Sequence, residues 1–254
     1  MQTKLARLKV GFMLETQTEV TSWLARIGIP PSLAWGFLGL LLFMVGDGVE
    51  SGYLSPYLTA QGVPPGKVAW IFTLYGFAVA IAGWLSGALS DVWGPRRVIA
   101  IGIGVWVIFQ LAFLTVGLTS HSYPLLLLTY GLRGFGYPLF AFGFLVWITV
   151  AAPAHHLASA MGWFWFAFTG GLPTLGSVVA SWFVPRIGAV PTLWIALGLV
   201  VLGGVVLLLG VREPRGRRRL VSSDEKPMEA LLSSITLLWR KPKANNGYPK
   251  PLRP

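Results

Sequence analysis

Cysteine is absent from all 254 residues, which excludes disulfides and thiolate metal sites at once. Charge is scarce as well: 11% of residues are charged, and only nine are acidic. Soluble domains average about 25% charged residues, so this chain lacks the polar surface that a water-soluble core of its size needs. The phosphate-cradling pattern G-x-x-x-x-G-K-[ST] is missing, which argues against nucleotide-driven work. No nucleophile–base–acid grouping can be read, so neither enzymatic chemistry nor a cofactor is expected. The adjacent His155 and His156 supply too few ligands for a metal site, and they read as surface histidines.

What the chain has in quantity is apolar length. Hydrophobic residues make up 54%, and the mean hydropathy is +0.66. A hydrocarbon layer about 30 Å thick takes roughly 20 apolar residues per helix. Six runs meet that need, at about 33–58, 68–90, 97–118, 123–151, 158–184 and 189–211. The alternating segments of about ten residues that mark a membrane β-barrel are not seen. The fold expected is therefore all-α and transmembrane, a six-helix bundle in the lipid bilayer.

The net charge of +11 invites a nucleic-acid partner, but its placement argues against one. Four basic residues precede the first run (Lys4, Arg7, Lys9 and Arg26), and Arg96 and Arg97 lie between runs 2 and 3. Eleven more follow run 6, whereas the alternate connectors hold only Lys67 and Arg186. This is the positive-inside bias, and it predicts a multi-pass protein of the cell membrane with both termini cytoplasmic. Residues 1–31 lack a clean apolar core before a cleavage site and read as a cytoplasmic leader. Residues 32–211 form the bundle, and 212–254 read as a basic cytoplasmic extension, with Arg215–Arg219 near anionic headgroups and an interfacial helix over Met228–Trp239.

Three charges interrupt the oily runs. Asp47 and Glu50 lie in run 1, and Arg133 lies in run 4. An ionised side chain at bilayer depth costs at least about 2.5–3.5 kcal/mol, so such residues mark a polar path by default. Asp47 and Glu50, three residues apart, share a helix face. A carboxyl group that takes a proton on one side and releases it on the other couples proton entry to solute movement, or else hydrogen-bonds substrate hydroxyls. Arg133 keeps its charge. It either neutralises Asp47 or Glu50 across the path, or grips a substrate carboxylate as a bidentate fork. Tyr75, Tyr137, Trp163 and Trp165 are candidates to line a cavity, and Trp70 and Trp84 are weaker ones. Interfacial anchoring competes as a role for each.

Gly87-Ala-Leu-Ser-Asp91-Val-Trp-Gly94-Pro-Arg96-Arg97 joins runs 2 and 3. Gly94 permits a tight turn, Arg96 and Arg97 anchor the inner face, and Asp91 is expected to pair with them or to cap a helix. The segment resembles the G-x-L-x-D-x-x-G-x-R-[KR] signature of the major facilitator superfamily, with Val92 standing where a basic residue is common. In that family the signature latches one state of the transport cycle, which implies the role for Gly87, Asp91, Gly94, Arg96 and Arg97. Further segments resemble the polyol permease branch, which holds ribitol and arabitol permeases and relatives labelled as 2-oxoglutarate permeases. They include Gly46-Asp47-Gly48-x-Glu50, Leu54-Ser-Pro-Tyr-Leu58, Phe72-Thr-Leu-Tyr-Gly76, Tyr130-Gly-Leu-Arg-Gly134 and Gly162-Trp-Phe-Trp165.

The resemblance runs from about residue 33 to Lys243 and covers only the N-terminal half of a twelve-helix fold. It implies secondary transport of a small polar solute with protons, a pentitol-like polyol first and a dicarboxylate second, by alternating access. The missing partner is then a C-terminal half beyond a truncated frame, or a second half-transporter. A non-transporting membrane scaffold is the rival class.

Overall fold

The computed structural model describes residues 23–211 apart from 25 and 121, so the readings for 1–22 and 212–254 lie outside the described residues. Six helical spans cross the apolar layer: Pro31–Ala60, Pro65–Trp93, Pro95–Gly117, Tyr123–Ala151, Ala154–Ile187 and Ala189–Gly210. They are referred to below as spans 1 to 6. The chain is a multi-pass, all-α membrane protein, and among the described residues there is no strand.

Small residues decide how the spans pack. In lipid, apolar side chains gain little by leaving their surroundings, so helices associate where backbones come close. Span 1 makes its most extensive contact with span 6. A methyl group on Gly39 would lie 2.6 Å from the Gly203 carbonyl oxygen, and one on Gly46 would lie 2.6 Å from the Ala196 carbonyl oxygen. Neither position has room for alanine. Spans 3 and 4 meet in the same way, with Gly102 against the backbone of Phe140 and Gly136 against Trp106.

Between these close approaches the core is aromatic. Phe43 of span 1 stacks on Phe140 of span 4 with ring centroids 3.9 Å apart, and Phe37 meets Phe144 edge-on. Trp106, Trp147, Phe144 and Phe164 are fully buried around them. The short segment before span 1 folds back on this core: Trp163 of span 5 donates its indole N–H to the Ile27 carbonyl at 2.8 Å.

Two spans are helical only in pieces. Span 1 is α-helical over Ala34–Gly48, tightens to a 3-10 turn over Val49–Gly52, and resumes over Leu54–Ala60. Span 4 runs over Tyr123–Arg133 and again over Gly136–Ala151. Each second piece carries a proline as its third residue, Pro56 and Pro138. A proline has no N–H to bond the carbonyl four residues back, so the helix must restart just ahead of it. Span 5 loosens instead to a π-helical stretch over Gly170–Leu175 that contains Pro173. It lies against span 1 where that span breaks, with Gly176 packed on the backbone of Gly48.

Candidate functional site

Both breaks fall at the charges. Glu50 sits in the 3-10 turn of span 1, with Asp47 one turn earlier, and Arg133 is the last residue of the first helical piece of span 4. Beyond Arg133 the backbone tightens: the Gly134 N–H bonds the Gly131 carbonyl at 3.1 Å, and the Phe135 N–H bonds Leu132 at 3.1 Å. Unpaired carbonyls at a helix C-terminus favour a nearby cation. The position is fixed from the side by Gly134, where a methyl group would lie 2.5 Å from the Tyr75 carbonyl oxygen of span 2.

The three charges meet. Arg133 Nη1 donates to Glu50 Oε2 at 2.5 Å, and Nη2 pairs with Glu50 Oε1, so the guanidinium and carboxylate form a fork. Nη1 also donates to the Gln110 Oε1 of span 3 at 2.6 Å. Glu50 Oε1 accepts a further bond from the Tyr130 hydroxyl at 2.9 Å. Asp47 stands off: its Oδ1 lies 3.8 Å from Nη2 and accepts the Trp106 indole N–H at 2.6 Å. The rings of Tyr130, Trp106 and Tyr75 lie 4.6, 5.1 and 5.5 Å from the guanidinium carbon, within cation–π range.

Arg133 is fully buried, and Asp47 and Glu50 are each 4% exposed. The cluster is thus enclosed by protein rather than lining an open hollow, although the sequence suggested a wet path beside these residues. Aromatic side chains provide the cover: Tyr75 and Tyr137 are half-buried and 6.3 Å apart, and Tyr75 also lies 5.1 Å from Tyr130. An open hollow of about 330 Å³ lies elsewhere, at the span ends between Tyr57, Gln61, Lys67 and Tyr123. Two carboxylates facing one guanidinium leave the cluster one negative charge in excess when all three are ionised. Taking charges out of water costs several kcal/mol per ion, which only good pairing repays. The surplus charge therefore calls for a proton or another cation.

The other sequence candidates fall in different places. Tyr75 and Tyr137 join the edge of the cluster. Trp163 does not: its indole is committed to the Ile27 carbonyl. Trp165 is 50% exposed on the outside of span 5, and Trp70 and Trp84 are also exposed. His155 and His156 lie in a 3-10 turn with rings 4.3 Å apart, and among the described residues no group of three metal-ligating side chains occurs.

The connector between spans 2 and 3 turns on Gly94, whose φ of 83° and ψ of 147° are open to glycine and costly for other residues. Asp91 pairs with neither arginine among the described residues and caps no helix, contrary to the sequence expectation. Arg96 reaches across to span 6 instead, donating to the carbonyls of Leu208 at 2.9 Å and Val211 at 3.4 Å. The terminal carbonyls of span 6 have no helical partners and carry the negative end of its dipole, so they outcompete an exposed carboxylate. Arg97 is exposed, and Gly87 faces open space.

Gln110, Trp106 and Tyr130 were not singled out as site residues from the sequence. The signal for Gln110 was available, since it is the one side-chain amide inside the six spans. Trp106 lies one helical turn from it on the same face.

Residues 36–247 match the Major Facilitator Superfamily. The Alpha-ketoglutarate permease of Bacillus subtilis (strain 168) is 40% identical to this chain, over 88% of the chain and 51% of the relative. The D-arabinitol transporter of Klebsiella pneumoniae is 40% identical over 84% of the chain and 50% of the relative. The Ribitol transporter of the same organism is 38% identical over the same shares. The chain spans about half the length of these curated relatives. With six spans, a charged cluster where two of them break, and a family match over most of its residues, the chain belongs to the Major Facilitator Superfamily.

Proposed function

We propose that this chain is half of a secondary transporter that carries a small neutral polyol, of the pentitol kind, together with a proton. The observation that carries the reading is the occupancy of Arg133. Both terminal nitrogens of its guanidinium are engaged by Glu50, and one of them by Gln110 as well. A substrate carboxylate would have to displace Glu50 from this end-on fork, whereas a neutral solute need not.

Asp47 is the proton carrier in this reading. It accepts the Trp106 indole N–H and stands 3.8 Å from the guanidinium, so it is the carboxylate whose charge is least compensated. Tyr75 and Tyr137 cover the cluster and offer ring faces and hydroxyls to a polyol. Discontinuous helices at mid-depth are where transporters of this kind build their sites, and the breaks in spans 1 and 4 supply them. The termini face the cytoplasm, where Gly87, Asp91, Gly94, Arg96 and Arg97 form the conformational latch. A further six-helix bundle, either C-terminal or a second copy, completes the pathway.

The relative named Alpha-ketoglutarate permease supports a second reading, in which a dicarboxylate displaces Glu50 from Arg133. Proteoliposomes containing the protein as its cell assembles it, loaded with labelled arabitol, ribitol or 2-oxoglutarate under an inward proton gradient, separate the two. Pentitol accumulation that collapses with the gradient, and that Asp47→Asn removes, is the expected result. Accumulation of 2-oxoglutarate alone would replace this reading with the second. Uptake of neither would leave a non-transporting scaffold.

A further inference from the structure

Gln110 is the feature that proton coupling through Asp47 does not by itself explain. It is fully buried in span 3, and its Oε1 accepts from the same Arg133 nitrogen that bonds Glu50. Its own Nε2 has no partner among the described residues. A buried amide donor without a partner costs about 1–3 kcal/mol. Turning the amide over would aim that N–H₂ at the guanidinium, which is worse. A cluster built only for stability would favour an apolar side chain here, because Glu50 alone already forks the guanidinium.

The arrangement makes sense if Arg133 must be held while Glu50 is not holding it. A guanidinium keeps its charge throughout the cycle. When Glu50 swings to a solute, Arg133 would be left in a dry site with its nearest carboxylate 3.8 Å away. Gln110 is a neutral acceptor that remains. Being neutral, it does not compete with Glu50 for the ion pair, and it adds nothing to the surplus negative charge.

We infer that Gln110 is a positioning residue for coupling: a standby acceptor on span 3 that keeps the Arg133 guanidinium in register whenever Glu50 lets go. The inference rests on the transport reading above. The charged and titratable groups facing this site are Asp47 and Glu50 from span 1, Tyr75 from span 2, and Tyr130, Arg133 and Tyr137 from span 4. Span 6, which also packs on span 3, carries no titratable side chain. Trp106, on the same face of span 3, holds Asp47 from the other side, so one helix face positions both coupling partners.

The test uses the same proteoliposomes with Gln110→Met and Gln110→Glu, the protein otherwise as its cell assembles it. Gln110→Met keeps the volume and removes the acceptor. Gradient-driven accumulation is expected to fall by about tenfold or more, while gradient-free exchange of labelled pentitol stays within about threefold, because coupling and not binding is lost. Gln110→Glu keeps the acceptor oxygen and adds a second surplus negative charge. It is expected to retain transport and to move the pH of half-maximal uptake upward by about one unit. A purely structural role would lower both modes together and leave the pH profile in place, so either that pattern or an unaltered Gln110→Met overturns the inference. If the unsubstituted protein accumulates no pentitol, the transport reading itself fails and takes this one with it.

Discussion

Two arginines in this bundle solve the problem of a cation near lipid in different ways. Arg96 is half-buried at a span end and spends its donors on the backbone carbonyls that close span 6. It needs no carboxylate, because the helix terminus supplies partial charge already. Arg133 is fully buried well inside span 4 and is held by two carboxylates, a side-chain amide and three aromatic rings. The first arrangement ties two helices together and keeps its charge at a half-exposed span end. The second leaves an odd charge inside the protein, which stability alone would not select, since buried ion pairs are often replaceable by apolar groups of the same volume.

The contrast breaks hardest at Arg133→Met. That change strands Asp47 and Glu50 and is expected to cost about 3–5 kcal/mol. Thermal unfolding in detergent, followed by the emission of the twelve tryptophans, reads it directly. Adding Glu50→Gln should recover part of the loss; a double variant no more stable than Arg133→Met would mean that the charges are not what the site compensates. Arg133→Lys should recover little, because an ammonium cannot fork to Glu50 and still reach Gln110.

The next effect is smaller. Trp106→Phe removes the indole hydrogen bond to Asp47 and should cost about 1.5–3 kcal/mol, the worth of a bond to a charged group. If transport is proton-coupled as proposed, the same variant shifts the pH profile of uptake, and an unmoved profile would show that Trp106 only packs. Gly134→Ala tests the backbone beneath Arg133. A methyl group 2.5 Å from the Tyr75 carbonyl oxygen should cost about 1–3 kcal/mol by overpacking, seen as a lower unfolding temperature. Arg96→Ala closes the series at about 1 kcal/mol. Its effect should shrink as salt is raised, whereas that of Arg133→Met should not, since buried pairs are screened far less. Equal salt dependence of the two would dissolve the comparison.

Much of the architecture was readable beforehand because bilayer thickness is a ruler. The run read at 33–58 is observed as Pro31–Ala60, and that read at 158–184 as Ala154–Ile187. The charges announced themselves in the same way, as lone polar residues in apolar surroundings. What could not be read was who meets whom. Asp47 finds Trp106 across 59 residues, and Glu50 finds Tyr130 across 80, pairings that only the packing of whole helices decides. The broken helices leave a trace in the sequence, a proline six residues after Glu50 and another five after Arg133. Asp91 was misjudged for a related reason: sequence proximity favoured Arg96, but the carbonyls of span 6, more than a hundred residues away, were better partners.

The hydrogen bond from Trp106 to Asp47 gives this molecule a built-in probe. An indole nitrogen nucleus reports on the acceptor in front of its proton, so one nitrogen-15 resonance registers whether that carboxylate is charged. Trp106→Phe identifies the signal among those of the other tryptophans by deleting it. The occupancy of a single proton inside the bundle can then be followed spectroscopically after nitrogen-15 incorporation, with no bulky reporter attached and no solute supplied.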